Sequence, residues 1–355
     1  MCPNCYGPEA KSLRRFAFHK RPDTFRLMAA PVRPGLALPR RPAAFKSRRS
    51  GDRIGDGILY GLCAFASLLA VVVLIAIAYK VVDGASPALS KFGLSFIGDT
   101  SWEPNRGVFG AGTLVFGTLV SSAMALVIAT PLGIAIGLYL ALLTSSRVRA
   151  IVGPLVEMLA AVPSVILGFW GILVLAPFVK NHMEPWLHDH LGFVGIFGSP
   201  QTTGLSMFTA GLVLAIMVLP IIASISRDLF LTVPREVQDG ATALGATRWE
   251  VIRGVVLPSA APGVAAATFL GLGRALGEAI AVAQVVGAGS QIKSSLFETG
   301  DTLAARIANQ FQGAFSEMHF GALFYLALIL LVIGVVCNLV AQMIGRRFNY
   351  ASTAR

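Results

Sequence analysis

The sequence predicts an all-α polytopic membrane protein with six transmembrane helices, and two observations support this prediction. Hydrophobic residues make up 55% of the 355 residues while only 13% are charged, and the mean hydropathy is +0.71. Soluble domains rarely combine so apolar a composition with so few charges. The apolar residues also stand in long blocks rather than in short alternating runs, which is typical of helices that cross a bilayer.

Six apolar blocks are each long enough to cross a bilayer whose hydrocarbon core is about 30 Å thick. We expect them to cover residues 57–79, 115–142, 153–178, 204–224, 262–287 and 321–344. In the second block the apolar run extends from Gly110 to Leu143, which is too short for two helices and a turn. We therefore predict one helix there, with its beginning at the membrane interface and Pro131 as the position of a kink.

Lys and Arg are concentrated in the loops on one side of these six helices. Residues 1–56 alone carry 13 of the 29, and the loops on that side carry 22 in total against 6 on the other side. Loops rich in Lys and Arg remain in the cytoplasm, so we predict that both termini and the segment 225–261 are cytoplasmic. If the second block formed two helices, the segment 225–261 would lie outside the cytoplasm. The distribution of Lys and Arg therefore also favours six transmembrane helices.

The first 50 residues form a basic arm rich in Arg and Pro. We predict that residues 1–50 are disordered and that residues 51–355 form the transmembrane domain. The arm supplies most of the net charge of +11, and such charge beside a first transmembrane helix sets topology and contacts anionic lipid rather than nucleic acid. Cys2 and Cys5 form a CxxC pair without two further zinc ligands nearby, so we expect reduced thiols. Met28 is an alternative start.

The segment 225–261 is polar and lies between two apolar blocks, and its sequence predicts two short helices. Pro234 suits the first position of a helix, and Glu236 then lies in the first turn, where negative charge is favourable. Gly245 suits the left-handed position just after a helix end.

The second helix of this segment has its own start and stop signals. Thr247 and Glu250 form a capping box that begins the helix, and Pro258 should end it. A structured polar hairpin between membrane helices is suited to binding a protein in the aqueous phase.

The fifth apolar block contains two charged residues, Arg274 and Glu278, in the stretch GLGRALGEAIAV. Their spacing of four places both on one face of a helix, where they can form an ion pair. An arginine at bilayer depth costs about 3 kcal/mol or more, and such groups are commonly functional. We predict a place on an anion pathway, the alternative being a pair that only fixes helix packing. Gly271, Gly273 and Gly277 are interpreted as close helix contacts.

Two other groups of polar residues lie in or after the third block. Pro163 and Ser164 are predicted to lie inside the transmembrane helix, where proline introduces a kink. Five possible metal ligands lie in the predicted loop after this block: His182, Glu184, His188, Asp189 and His190. We interpret them as surface residues rather than a metal site.

No motif of a catalytic site occurs in the chain. The patterns GxxxxGK[ST], GxSxG and HExxH are all missing, so we expect no catalytic residue, no cofactor and no P-loop that binds ATP. Any energy for transport then comes from another subunit, and the segment 225–261 is the place to receive it.

The same segment resembles the EAA loop of ATP-binding-cassette (ABC) importer permeases, in which Glu-Ala-Ala, Gly, Ile and Leu-Pro follow at fixed spacing. The matching positions are Asp239, Gly240, Ala241, Gly245, Val255, Leu257 and Pro258. The spacing is kept and three identities differ conservatively. From residue 51 onward the chain also resembles the PstC-type permeases of bacterial phosphate importers, in stretches such as FGLSFIGDTSWEP, AAVPSVILGFWG and GLGRALGEAIAV. Ala279 stands where that family often has Thr.

The resemblance implies the type I ABC importer permease fold in the bacterial inner membrane, with both termini cytoplasmic. It implies three kinds of partner: a PstA-like sister permease, ABC ATPase subunits and an extracytoplasmic phosphate-binding protein. Arg274 and Glu278 would lie on the route of phosphate. The residues that would couple to the ATPase are Glu236, Asp239, Gly240, Ala241, Gly245, Leu257 and Pro258.

Three alternatives remain open from the sequence. The same architecture could move another oxyanion, such as sulfate or molybdate. A signalling or scaffold protein of the membrane would use the hairpin to recruit a partner, but should tolerate loss of Arg274 and Glu278. A secondary carrier would normally have internal repeats or broken helices around a central ion site.

Overall fold

The computed structural model describes residues 50–353 of the chain, with side chains for residues 55–343. The predictions for the basic arm, including Cys2, Cys5 and Met28, lie outside the described residues. The described residues divide into two units, one ending at Leu69 and one beginning at Ala70. The helices are α1 Ser50–Phe92, α2 Ser95–Gly98, α3 Gly112–Leu143, α4 Ser146–Ala160, α5 Ser164–Leu191, α6 Met207–Thr232, α7 Arg235–Ala243, α8 Arg248–Gly277, α9 Ile280–Val285, α10 Leu303–Gln310 and α11 Glu317–Thr353.

Within the described residues, six of these helices are long and apolar enough to cross a membrane, namely α1, α3, α5, α6, α8 and α11. This confirms the predicted number. The second apolar block forms the single helix α3, as its length required, with Pro131 inside it and a π-helical turn at its end, Tyr139–Leu143.

The third apolar block is divided, so the prediction that Pro163 lies inside a transmembrane helix is wrong, while Ser164 lies at the very beginning of one. The separate helix α4 ends at Ala160, and Pro163 has an extended backbone with φ −57° and ψ 134°. Ser164 is the first residue of α5. The physical reason is that proline disfavours a helical conformation of the residue before it, here Val162.

The prediction of a loop after the third block is wrong, because α5 continues through it to Leu191. The interpretation as surface residues is confirmed for His182, His188, Asp189 and His190, which are exposed, and is wrong for Glu184. His182 stacks on Phe178 with ring centroids 5.1 Å apart, and His190 stacks on Trp186 at 4.7 Å. Glu184 is fully buried and its Oε2 accepts a hydrogen bond from the backbone N–H of Gln201. The two histidines thus stack on aromatic rings one turn earlier in the helix, while Glu184 is held by the backbone of a more distant residue.

The fifth transmembrane helix differs most from its prediction of residues 262–287. Helix α8 begins at Arg248 and passes through Pro258, so the prediction that this proline ends a hairpin helix is wrong. Within α8, a five-residue π-helical turn, Ile252–Val256, ends two residues before Pro258. A π-turn changes the pattern of backbone hydrogen bonds locally. The helix therefore continues through Pro258, although proline has no N–H to donate.

The centre of the bundle is formed by α3 and α6, which lie in close contact along their length. Glycines on α3 permit this approach, since a Cβ on Gly133 would lie 2.9 Å from Ile222. The buried cluster at this contact also includes side chains of α5, α8, α9 and α10, and Ala125, Val213, Val218 and Val282 are among its most enclosed members. Small residues that bring backbones together are typical of helix packing in membranes.

Each end of the bundle has its own apolar cluster. At the end that carries α7 and the start of α8, here called the hairpin end, Phe230, Val251 and Val256 are buried together. At the opposite end, a two-stranded antiparallel ribbon pairs β1 Trp102–Glu103 with β2 Val108–Phe109. The Trp102 and Phe109 rings meet edge to face, with centroids 5.1 Å apart.

A buried ion pair lies beside the ribbon at the opposite end. Arg306 Nε lies 2.6 Å from Asp301 Oδ2, although its N–H is not aligned as a hydrogen bond, and both side chains are almost inaccessible. The guanidinium carbon of Arg306 lies 5.6 Å from the centroid of the Trp102 ring. Burial raises the pKa of the Asp301 carboxyl, while the charge of Arg306 and the N–H of Thr302 oppose this rise.

Replacing Arg306 by methionine is expected to destabilise the protein by about 3–5 kcal/mol at neutral pH, because a buried carboxylate loses its counter-charge. A raised pKa means that the folded state prefers the protonated carboxyl, so the lost stability should return as the pH falls. Thermal unfolding of the purified complex between pH 5 and 8 measures this. The double variant Arg306→Met with Asp301→Asn should be more stable than Arg306→Met at neutral pH and independent of pH in this range. Equal melting temperatures of the single variant and the wild type would contradict the prediction.

Candidate functional site

The segment between α6 and α8 forms the predicted helical hairpin. Helix α7 is followed by Gly245, whose φ of +92° is left-handed, as predicted. The capping box is also present: Glu250 Oε2 accepts from the backbone N–H of Thr247 at 2.7 Å, and the Glu250 N–H donates to Thr247 Oγ1. Pro234 precedes the helix as its cap rather than occupying the first helical position, and Glu236 lies in the first turn.

The hairpin presents apolar side chains to its surroundings. Leu244 is 92% exposed, Trp249 64% and Val237 53%. Asp239 and Gly240 are exposed beside them. Exposed aromatic and large aliphatic residues grouped on a polar element mark interaction surfaces. Sequence reasoning missed Leu244 and Trp249, although an apolar residue immediately before the left-handed glycine was a usable signal.

Other residues of the hairpin fix it to the bundle. Ala241 and Leu257 pack against the buried cluster of Phe230 and Val256. A cleft of about 220 Å³ remains between the hairpin and the end of α3. Four polar or charged residues of α7 and α8 line part of it: Gln238, Asp239, Thr242 and Arg248. The residues of the EAA-like pattern therefore divide into exposed positions and positions that hold the hairpin.

A charged contact next to the hairpin escaped prediction. Arg227 on α6 donates to Glu157 Oε1 on α4 at 2.8 Å and to the adjacent Asp228 at 2.8 Å. Its side chain is only 16% exposed, and Gly153 of α4 lies close to its guanidinium. The contact fixes α4 to the hairpin end of α6. Because Arg227 and Glu157 are 70 residues apart, their pairing has no signal in a single sequence.

Arg274 lies on α8 and lines a groove of about 750 Å³ between this helix and α11. Its side chain is exposed, and within the described residues it makes no hydrogen bond or ion pair. Ile221 and Phe269 form part of the apolar wall, while Asn338 and Gln342 contribute amides from α11. The charge is thus available to a group that enters the groove.

Glu278 corrects the prediction that the two charged residues share a helical face. Helix α8 ends at Gly277, and Glu278 has an extended backbone with φ −73° and ψ 120°. Its Oε1 accepts from the N–H of Ala281 at 3.3 Å, at the start of α9. The carboxylate therefore caps the next short helix instead of pairing with Arg274. The helix ends inside an apolar block, where no change in residue polarity marks the end in the sequence. The spacing of four residues between Arg274 and Glu278 was therefore misleading.

The glycines around this break have different surroundings. A Cβ on Gly271 would lie 2.6 Å from Val218, as expected for a helix contact. Gly273 and Gly277 have no atom of the described residues within 4 Å of such a Cβ, so neither makes a close contact with another helix of this chain. Gly273 instead leaves space in the groove beside Arg274.

The possible metal ligands of α5 do not converge. Among residues 55–343, no three side chains of His, Cys, Asp or Glu come together as a group that could hold a metal ion. The described part of the chain therefore offers a charged groove and a hairpin surface as its candidate sites.

Comparison with known proteins identifies the architecture. The family described as "binding-protein-dependent transport system inner membrane component" matches residues 133–350, which include the hairpin, the helix break and the groove. The chain belongs to this family of importer permeases. The permease has the type I ABC importer fold, with its EAA-like hairpin at one end of the bundle.

Full-length relatives are similar to the permease over nearly all of their sequence. The phosphate transport system permease protein PstC of Mesorhizobium japonicum is 39% identical over 315 residues, which cover 87% of this chain and 96% of the relative. PstC of Haemophilus influenzae is 39% identical over 283 residues, or 79% of this chain and 90% of the relative. Similarity at this level places the permease in the PstC branch.

The fold also has a solved counterpart. A chain of the bacterial alginate ABC transporter, in complex with an alginate-bound periplasmic protein, superposes with a TM-score of 0.53. The match covers 83% of the permease and 98% of that chain, with 18% sequence identity. The permease is therefore a multi-pass membrane protein with the helix arrangement of an importer subunit.

Proposed function

We propose that the permease is the transmembrane subunit of an ATP-driven phosphate importer and forms half of its translocation pore. The observation that carries the proposal is an arginine in a groove among transmembrane helices, Arg274, that has no partner among the residues the structure describes. The names of the PstC relatives support phosphate as the anion that it meets.

Arg274 has the chemistry for an oxyanion waypoint. Its guanidinium is always charged and offers donors in a planar fork that matches two oxygens of phosphate. A transport site must also release its ligand. Because the groove is open, the bound anion can exchange with the surrounding solution, and its affinity stays low. Glu278 lies four residues further, where the helix is broken, and we assign it a place on the same pathway. Its carboxylate repels an anion and limits how long phosphate stays near Arg274.

The hairpin is proposed to dock into a cleft of the ATPase subunit. Leu244 and Trp249 provide the apolar contact, while Asp239 and Gly240 lie exposed next to them. Glu236 and Gly245 shape the first helix and its end. Ala241, Leu257 and Pro258 transmit the docked position to the bundle, since the first two pack on its core and the third lies within α8.

The assembly that follows contains four kinds of subunit. A PstA-like sister permease completes the pore, two ABC ATPase subunits bind the hairpins, and a phosphate-binding protein delivers the anion at the other side. We place both termini and the hairpin in the cytoplasm of a bacterium, on the ground that 22 Lys and Arg residues fall on that side and 6 on the other. ATP hydrolysis belongs to the ATPase subunits and not to this chain.

The proposal is tested by uptake of labelled phosphate in cells that lack the permease, with and without its re-expression. We expect re-expression to restore uptake and unlabelled phosphate to suppress the signal, with sulfate and molybdate in tenfold excess leaving it unchanged. Suppression by sulfate or molybdate would assign the permease to that oxyanion instead. Identical uptake with and without the permease would overturn the proposal and favour a scaffold role.

A further inference from the structure

Two amide side chains stand across the groove from Arg274 and have no assigned role. Asn338 and Gln342 lie on α11, within the part of that helix that is long and apolar enough to cross a membrane. Both are exposed, and neither makes a hydrogen bond to any residue that the structure describes. A primary amide in hydrocarbon without a partner is unfavourable, so water, a ligand or another polar group must satisfy these two.

The amides belong to one face of α11. Gly334, Asn338 and Gln342 follow each other at intervals of four residues, which places them in a row along the helix. All three line the groove that Arg274 lines from α8, and Cys337 lies in the same wall. Asn338 and Gln342 therefore line the same space as the guanidinium of Arg274.

Two glycines keep that space open. A Cβ on Gly273 or on Gly334 would meet no atom within 4 Å, so neither glycine is needed for contact between helices of this chain. With a volume of about 750 Å³ the groove admits a small hydrated anion together with several waters. Side chains at these two positions would occupy it.

We propose that this groove is a water-filled oxyanion site with two polar walls, Arg274 on α8 and the amides of Asn338 and Gln342 on α11. The amide N–H groups donate to anion oxygens that the guanidinium does not reach, and the amide carbonyls accept from an oxygen that carries a proton. Arginine lacks any acceptor, so of these two walls the α11 amides are the ones that can accept a hydrogen bond from the protonated oxygen of hydrogen phosphate. The inference rests on the proposed function and extends it to residues of a second helix.

Cys337 provides a direct test of whether the groove contains water. In a complex whose Cys2, Cys5 and Cys63 are replaced by serine, we expect a charged methanethiosulfonate reagent to label Cys337 in sealed membranes. Inorganic phosphate at millimolar concentration should slow the labelling at least about threefold, with sulfate slowing it less. Labelling by a lipid-soluble maleimide but not by the charged reagent would place the groove against lipid or a partner helix, and would overturn the proposal.

Uptake measurements test the α11 wall itself. The double variant Asn338→Leu with Gln342→Leu is expected to lower labelled phosphate uptake at least about tenfold. Gly334→Leu should have a similar effect by filling the groove, whereas Val335→Leu, on a neighbouring face of α11, should leave uptake unchanged. Co-purification with the ATPase shows that each variant is assembled.

The outcomes separate the two proposals. If wild-type permease restores phosphate uptake and the double leucine variant restores it equally well, the site on α11 is refuted while the proposed function stands. If the wild type restores no phosphate uptake, the proposed function itself fails.

Discussion

Replacing Arg274 by alanine is expected to lower phosphate uptake by the assembled transporter about 10- to 100-fold. Hydrogen bonds to a charged group contribute about 1.5–3 kcal/mol each, and a factor of ten in rate corresponds to about 1.4 kcal/mol. The side chain has no partner within the described residues, so its removal leaves no orphaned protein group. The loss should therefore fall on transport rather than on folding.

The measurement is labelled phosphate uptake in membranes, with co-purification of the ATPase as the check on assembly. Arg274→Lys should retain part of the activity, because it keeps the charge but not the fork of donors. Arg106→Ala is the matched control, since Arg106 pairs with Glu103 in an exposed turn at the opposite end. Wild-type uptake by Arg274→Ala would remove this residue from the pathway.

Replacing Gly245 by valine is expected to weaken binding of the ATPase subunit about tenfold or more. The backbone φ of +92° at this position is one that side chains other than glycine rarely adopt, and a left-handed conformation costs them about 1–2 kcal/mol. A Cβ there would meet no atom within 4 Å. The strain is therefore in the backbone, and its relief turns Leu244 and the start of α8 away from their present positions.

Gly107→Val is the control for this variant. Gly107 has a φ of +66° and an equally open surrounding, but lies in the ribbon at the opposite end. Both variants should lower the melting temperature of the purified complex by a similar amount, while only Gly245→Val should lose the ATPase during purification. Full retention of the ATPase by Gly245→Val would argue against the hairpin as its docking element.

The features that the sequence predicted well are those with local causes. Long apolar blocks determine the six helices, because the bilayer accepts few other structures. The capping box of Thr247 and Glu250 and the left-handed Gly245 depend on hydrogen bonds and sterics within a few residues. Pro163 was misplaced because the block around it is apolar on both sides, so the interruption carries no change of polarity.

The features that the sequence did not predict depend on contacts between distant residues. Arg274 and Asn338 are 64 positions apart and line one groove. Arg227 and Glu157 are likewise far apart in the sequence and in contact in the fold. The helix end at Gly277 is the most instructive case, because Arg274 and Glu278 had the spacing of an ion pair and the backbone places them otherwise. Spacing predicts a contact only where the helix is continuous.

The unbroken course of α8 has a mechanical consequence. It runs from Arg248, next to the exposed Trp249, to Gly277, three residues beyond Arg274. At 1.5 Å per residue a helix of this length is a rod of about 45 Å. If such a rod turns by about 10° around one end, the other end moves by about 8 Å, which is more than the diameter of a phosphate ion. A small rotation of the helix at the hairpin is thus geometrically amplified into a large displacement of the charge of Arg274.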